Sequence, residues 1–212
     1  MYKLIANEDH FVVISKDEGV SFHSEGLVSK IKEDLEIELY PVHRLDEATS
    51  GLLIFAKSSD IARKLGDLFS TKRIKKTYLA LSESRPSKKQ GMVKGDIEKS
   101  RGGSYKLTRK MENPSQTRFL SYLLKEGLRL FVLHPITGKT HQLRVVMKSL
   151  AAPILGDARY GDRASDRCYL HCYRLEFSLD NRTYDFKTYP DSGNNFIENQ
   201  QLIEEIINGK SI

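Results

Sequence analysis

The chain has 212 residues, enough to bury a sizeable core without disulfides or metal. Hydrophobic residues at 39% and charged residues at 29% exclude collagen-like, coiled-coil and wholly disordered classes. The net charge is +6, the two cysteines exclude a disulfide-rich secreted scaffold, and no apolar run approaches the ~20 residues that span a bilayer.

The first residues, MYKLIANEDH, lack the apolar stretch of a signal peptide, so the expectation is a reduced, cytoplasmic protein with no membrane partner. Phe11-Val12-Val13-Ile14 predicts a short buried strand. From Gly26 to Leu39, Leu27, Ile31 and Leu35 recur every four residues, which predicts a helix ended by Pro41. Leu52 to Ala56 predicts a strand buried on both faces. Ser58 or Ser59 then caps a helix with the apolar stripe Ile61, Leu65, Leu68 and Phe69. Thr77 to Leu81 is a strand candidate behind the basic run Lys72, Arg73, Lys75 and Lys76. Residues 84–90 and 99–104 are expected as loops. Thr117 to Leu124 and Leu128 to Leu133 predict a hairpin turning at Lys125-Glu126-Gly127. Thr140 to Leu150 predicts a helix with Leu143, Val146, Met147 and Leu150 on one face. Tyr169 to Phe177 and Arg182 to Tyr189 predict a last strand pair around Asp180-Asn181. Hairpins with interspersed helices imply an α+β fold, a mixed, mainly antiparallel sheet with flanking helices. The expected organisation is one domain over residues 1–190, two lobes around a central cleft, then a tail or helix over 191–212. No apolar seam is evident, which predicts a monomer.

Positive charge is concentrated in the middle of the chain. Residues 1–40 carry 4 Lys+Arg against 9 Asp+Glu, residues 41–150 carry 23 against 9, and residues 151–212 carry 7 against 10. Phosphate backbones attract such a surface, although a solvated basic face with no partner has the same composition. The segment His43-Arg44-Leu45-Asp46-Glu47-Ala48-Thr49-Ser50-Gly51 is polar, lies between apolar segments and delivers into a buried strand. Loops on such scaffolds often carry function, and the plain alternative is an Asx- or ST-type turn.

HRLDEATSG resembles the catalytic signature of the RluA family of RNA pseudouridine synthases. Further matches follow in the family's order: Lys76-Thr77-Tyr78, Ser115-Gln116-Thr117, and Thr137 to Arg144 reading TGKTHQLR. Pro153 to Asp157 (PILGD), Tyr160-Gly161 and Leu170-His171 come after these. The resemblance covers roughly residues 8–190, without a preceding S4-type RNA-binding domain. It implies the pseudouridine synthase catalytic fold and an isomerase that detaches a uracil in RNA, turns it and rejoins it through C5. It implies no cofactor and no metal, and structured RNA, tRNA and/or rRNA, as the partner. Asp46, Tyr78 and Arg144 match the family's catalytic positions. The resemblance implies that Asp46 is the carboxylate at the ribose, acting as nucleophile at C1′ or base at C2′, and that Arg144 is the arginine that pairs with it. It also implies that Tyr78 stacks on the base and relays the C5 proton, with Leu143 on the other side, and that Arg44 fills the space left by the flipped base. His43, which also supports the loop, joins Thr49, Lys76, Lys139 and Gln142 in the substrate-binding set. Lys88, Lys89 and Arg101 are candidates for gripping the RNA backbone.

Two departures from the family pattern leave these positions untouched. The usual Asn-Lys-Pro-x-Gly segment reads Ser15-Lys16-Asp17-Glu18-Gly19, without the proline and with two acids, and Val146 stands where a histidine is usual. Cys168-x-x-His171-Cys172 has some metal-ligand spacing but no fourth ligand nearby, and strand alternation sends Cys172 and His171 to opposite faces. His134, His141 and His171 are expected to be structural. The competing readings are an RNA-binding or chaperone member without turnover, and an N-glycoside hydrolase using Asp46.

Overall fold

The apolar runs of the sequence form the inner strands of the computed structural model, which describes residues 1–21 and 25–209. The chain folds as two units, residues 1–76 with 172–189, and residues 77–171 with those from 190 onward.

In the first unit, β1 (Tyr2–Asn7) pairs with β2 (Phe11–Lys16), and β2 pairs antiparallel with β4 (Ser50–Ala56). β3 (Tyr40–Pro41) adds to β4. β11 (Leu170–Leu179) lies on the other side of β4, and β12 (Arg182–Lys187) pairs with β11. Every residue of β2 and β4 is buried, the apolar runs Phe11–Ile14 and Leu52–Ala56 and also the polar Ser15, Lys16 and Ser50. α1 spans Glu25–Leu35 and α2 spans Ser59–Ser70. The Ser58 hydroxyl caps α2 by accepting the Ile61 N–H at 3.3 Å. Ile61, Leu65 and Leu68 are buried, and Phe69 half-buried. Asp180 and Asn181 both take positive φ, 48° and 64°, the geometry of a tight two-residue hairpin. Helix α1 stops at Leu35, short of the expected Leu39. Glu36 turns left-handed (φ 53°), and the Ile37 N–H bonds back to the Lys32 carbonyl at 3.3 Å, closing the helix before Pro41 acts.

The second unit is built on β5 (Lys75–Ser82, its first two residues in the first unit), β10 (Leu128–Pro135), β9 (Ser115–Lys125) and β6 (Gln90–Gly95), paired antiparallel in that order. A short hairpin of β7 (Ile97–Lys99) and β8 (Tyr105–Leu107) follows β6. Neither β6 nor this hairpin is marked by the sequence pattern. They are exposed or half-exposed along most of their length and contain Gly91 and Gly95, so they show no apolar alternation. α3 (Gln142–Ser149) starts two residues after the expected Thr140, because His141 is left-handed at φ 55°, ψ 19°. Its stripe Leu143, Val146 and Met147 is buried, with Leu150 just beyond. α4 (Asn194–Glu198) and α5 (Gln200–Gly209) bury Phe196, Ile203 and Ile207. The last three residues of the expected tail, 210–212, lie outside the described residues.

Gly51, the last residue of HRLDEATSG, has φ 109°, and a Cβ there would lie 2.4 Å from the Cys172 carbonyl oxygen of β11. Gly51→Ala is expected to destabilise the protein by at least about 2 kcal/mol, since it adds strain to overpacking. Thermal unfolding checks this; a transition unchanged from wild type would mean the β4–β11 approach is not tight.

Candidate active site

In the first unit, the polar loop before β4 is anchored on both sides of Asp46. Leu45 is buried in the core. The Glu47 carbonyl accepts the Gly19 N–H at 2.9 Å, and the Thr49 N–H closes the turn on the Asp46 carbonyl at 3.0 Å. Lys16, at the end of β2, is fully buried. Its Nζ donates to the carbonyls of Asp17 and Val20 at 2.8 Å and Glu47 at 3.2 Å. The unusual SKDEG segment is thus held to the HRLDEATSG loop by one ammonium, with carbonyls answering its charge.

Asp46 itself is half-buried and Thr49 buried. Arg44 is exposed and forms no ion pair with Asp46 or Glu47 among the described residues. His43 faces inward in its bonding. Its Nε2 accepts the Ile54 N–H at 3.0 Å, and its ring stacks on Phe69 at 4.4 Å. A nitrogen that accepts cannot carry a proton, so the imidazole is neutral. Burial, helped by the charge of Lys76, pushes its pKa down to about 3. Burial also holds the Lys76 ammonium below the usual lysine value, opposed by Cys172.

In the second unit, Tyr78 is buried in β5 opposite Leu133 of β10. The loop 137–141 is organised by Gln142. Its Oε1 accepts from the Thr137 hydroxyl at 2.7 Å and the Lys139 N–H at 3.0 Å. Its Nε2 donates to the Gln116 carbonyl at 3.2 Å and the Thr117 hydroxyl at 2.9 Å. The Gln142 amide is therefore fully used inside the protein and acts as a support for α3. Lys139 reaches Asn113 Oδ1 at 2.8 Å. Leu143 is buried, while Lys88, Lys89 and Arg101 are exposed.

Arg144 is buried, and within its unit it makes a two-pronged bond to Asp157. Its Nε donates to Oδ2 at 2.8 Å and Nη2 to Oδ1 at 2.6 Å. Burial alone would raise the Asp157 pKa. The Arg144 hydrogen bonds and charge, with the Arg159 and Tyr160 N–H groups, outweigh it and hold the carboxyl below its ordinary value. The guanidinium also lies over the Tyr160 ring, 5.0 Å from its centroid. Lys16, Asp157 and Tyr160 received no role from the sequence, although all three stand in motif segments. For Lys16 and Asp157 the available signal was a charged residue closing an apolar stretch, and Tyr160 carried none. Of the histidines read as structural, His134 bonds Thr77 at 3.2 Å and His141 bonds Tyr160 at 2.8 Å, while His171 is buried near Phe196. Cys168 and Cys172 are buried free thiols. Among the described residues no helix is long and apolar enough to cross a membrane.

A family model described as RNA pseudouridylate synthase matches residues 10–149. An "uncharacterized RNA pseudouridine synthase" of Haemophilus influenzae is 44% identical over 203 residues, 92% of this chain and 91% of that protein. The ribosomal large subunit pseudouridine synthase C of Rickettsia bellii is 38% identical over 170 residues, 75% of this chain. The match spans only 56% of that longer protein. Among solved structures, human RNA pseudouridylate synthase domain containing 1 superposes with a TM-score of 0.77 at 24% identity, covering 90% of this chain and 84% of that one. At that identity the likeness is one of fold.

The neutral His43 makes stability depend on pH. Its pKa is lower folded than the 6.5 of an unperturbed histidine, so the unfolded chain takes up the extra proton. Stability is complete above that value and falls on acidification toward 3, by at most about 1.4 kcal/mol per pH unit. His43→Gln keeps an acceptor for the Ile54 N–H and cannot titrate. Denaturant unfolding at pH 7 and pH 5 should show the wild type losing more stability than the variant. Equal losses would remove His43 from this role.

Proposed function

The chain belongs to the RNA pseudouridylate synthase family and is an RNA-modifying isomerase, and on that premise we propose that Asp46 is the catalytic carboxylate for a flipped uridine. What carries the reading is the intact HRLDEATSG loop, with its backbone pinned on both sides of Asp46 by Leu45 and the Glu47 carbonyl.

The reaction breaks the N1–C1′ bond of uridine and forms C5–C1′. N1 gains a proton and C5 loses one, so the mass of the RNA is unchanged. It needs an ionised carboxylate at the ribose, which either adds to C1′ or removes the C2′ proton; both roles fit Asp46. Arg144 is the cation we assign to the reaction, and its bidentate bond to Asp157 fixes its head. Tyr78 presents a ring to the uracil and a hydroxyl for the C5 proton, and Leu143 packs on the base. The base must leave its stack, at a cost of a few kcal/mol. Arg44, exposed and with a planar head, stacks in the vacated space. Lys76, Thr49 and Lys139 complete the substrate contacts, whereas His43 and Gln142 support them from behind. Lys88, Lys89 and Arg101 meet phosphates.

The substrate is a structured tRNA or ribosomal RNA in the cytoplasm. The name of the Rickettsia bellii relative makes large-subunit ribosomal RNA the first to test. Tritium release from RNA labelled at uridine C5 separates isomerisation from simple binding and from glycoside hydrolysis. Wild type should release tritium from one transcript. Asp46→Ala should release none yet bind that RNA within a few fold. Residual turnover near wild type would remove Asp46 from its role, and free uracil would mean hydrolysis. Replacing Lys88, Lys89 and Arg101 together should weaken binding and lower its salt slope by up to ~0.9 for each phosphate no longer neutralised. An unchanged slope would place the RNA elsewhere.

A further inference from the structure

The turn from Gly156 to Gly161 joins two parts of the second unit that the sequence treats as separate. We propose that this turn couples the basic β7–β8 hairpin to Arg144, and that Tyr160 is the positioning residue that carries the coupling. The coupling rests on the proposed function, in which Arg144 serves the reaction and the hairpin tip meets RNA.

The turn has little room to move. Gly156 has φ 74°, and a Cβ there would fall 1.7 Å from the Arg167 carbonyl oxygen. At Gly161 a Cβ would fall 2.6 Å from the Asp157 carbonyl oxygen. Between these close approaches, three side chains leave the turn with a different partner each. Asp157 holds both prongs of Arg144, and its Oδ1 also accepts the Arg159 and Tyr160 N–H groups at 2.9 and 3.1 Å. Arg159 donates from Nη1 to the Gly102 carbonyl at 2.7 Å, at the tip of the hairpin next to Arg101. Tyr160 is buried and sits at the junction. Its ring lies under the Arg144 guanidinium, and its hydroxyl accepts the Tyr105 N–H of β8 at 2.8 Å. The same hydroxyl lies 2.8 Å from His141 Nδ1. The Tyr160 hydroxyl is thus bonded to both the β8 backbone and the His141 ring. His141 is the left-handed residue from which α3, and so Arg144, begins.

A displacement of the hairpin therefore pulls on Tyr160, and through it on the ring beneath Arg144 and the first turn of α3. The base of the hairpin is fixed as well. The Asp96 carboxylate accepts the Glu112 and Asn113 N–H groups at 3.2 and 3.1 Å, so bending cannot easily be absorbed there. RNA held at Arg101 sets the position of Arg144 by way of the Tyr160 phenol, with the Arg159 bond holding the tip to the same turn.

Tyr160→Phe removes only the hydroxyl and keeps the ring. A double-mutant cycle with Arg101→Ala, read as kcat and kcat/KM for C5 tritium release, tests the coupling. Tyr160→Phe alone should lower kcat roughly tenfold, and the effect of Arg101→Ala should largely vanish in its background. Additive effects, or an unchanged kcat in Tyr160→Phe, would make the tyrosine merely structural and overturn the proposal. If Tyr160→Phe does not fold, Arg159→Ala, at an exposed position, cuts the bond to the tip and enters the same cycle with the same two outcomes. Asp46→Ala in parallel keeps the two readings apart. Turnover in that variant overturns the assignment of Asp46, whereas its silence with an additive cycle overturns only the coupling.

Discussion

A guanidinium with almost no exposure to water has to be surrounded by acceptors, and the bidentate bond from Arg144 to Asp157 meets that requirement. Removing one partner of such a pair costs about 3–5 kcal/mol, because the other is left as an unanswered buried charge. The pair thus fixes more than itself. Asp157 also caps two N–H groups of its own turn, so the position of Arg144 is written into the backbone from 157 to 160. The first unit uses the same physics at Lys16, whose ammonium gathers carbonyls from two loops and ties the segment after β2 to the one that carries Asp46. In each unit a buried cation converts flexible loop into defined geometry.

Arg167 repeats the device away from the motifs. It is buried and lies over the Phe196 ring of α4, at 5.5 Å from the centroid, while Nη1 bonds the Ser192 carbonyl and hydroxyl. The start of the segment that the sequence left as a tail or helix is fastened at Ser192 by that arginine and at Asn194 by Asp166, whose carboxylate accepts the Asn194 N–H at 2.8 Å. A long side chain that is hydrophobic along its stem and charged at its head suits this work, since it packs and bonds at once.

The parts of the fold that could be read from the sequence are those where burial dictates residue type. β2 and β4 contain unbroken apolar runs, β9 and β10 meet at a glycine turn, and α2 announces itself by Ser58 and a four-residue stripe. The parts that could not be read depend on single backbone angles or on exposed pairing. Nothing in the composition of residues 25–39 marks Glu36 as left-handed, and nothing around residue 140 marks His141. β6, β7 and β8 pair through backbone groups with little burial, so their side chains carry no period. In the matched segments, residue type alone does not give the direction in which a polar group bonds. His43 and Gln142 both belong to the matched segments, yet their polar atoms turn to the Ile54 N–H and to the β9 segment. A sequence reports that a polar group is required at a position; only the bonds report whether it is required by the substrate or by the scaffold.

That distinction bears on why the two glycines of the 156–161 turn stand where they do. A turn that only had to reverse the chain would accept many residues, because surface turns tolerate substitution. This one packs against backbone at both ends, with no space for a Cβ at Gly156 or Gly161. Close backbone approach at both ends limits how far the outgoing side chains can shift. Three of them here, Asp157, Arg159 and Tyr160, end on Arg144, on the hairpin tip, and on the junction of β8 with the start of α3. Catalysis that relies on charge placed in advance gains from such rigidity, because little reorganisation is left for the moment of reaction. The turn is therefore better understood as part of the machinery that sets Arg144 than as a connection between β-strands.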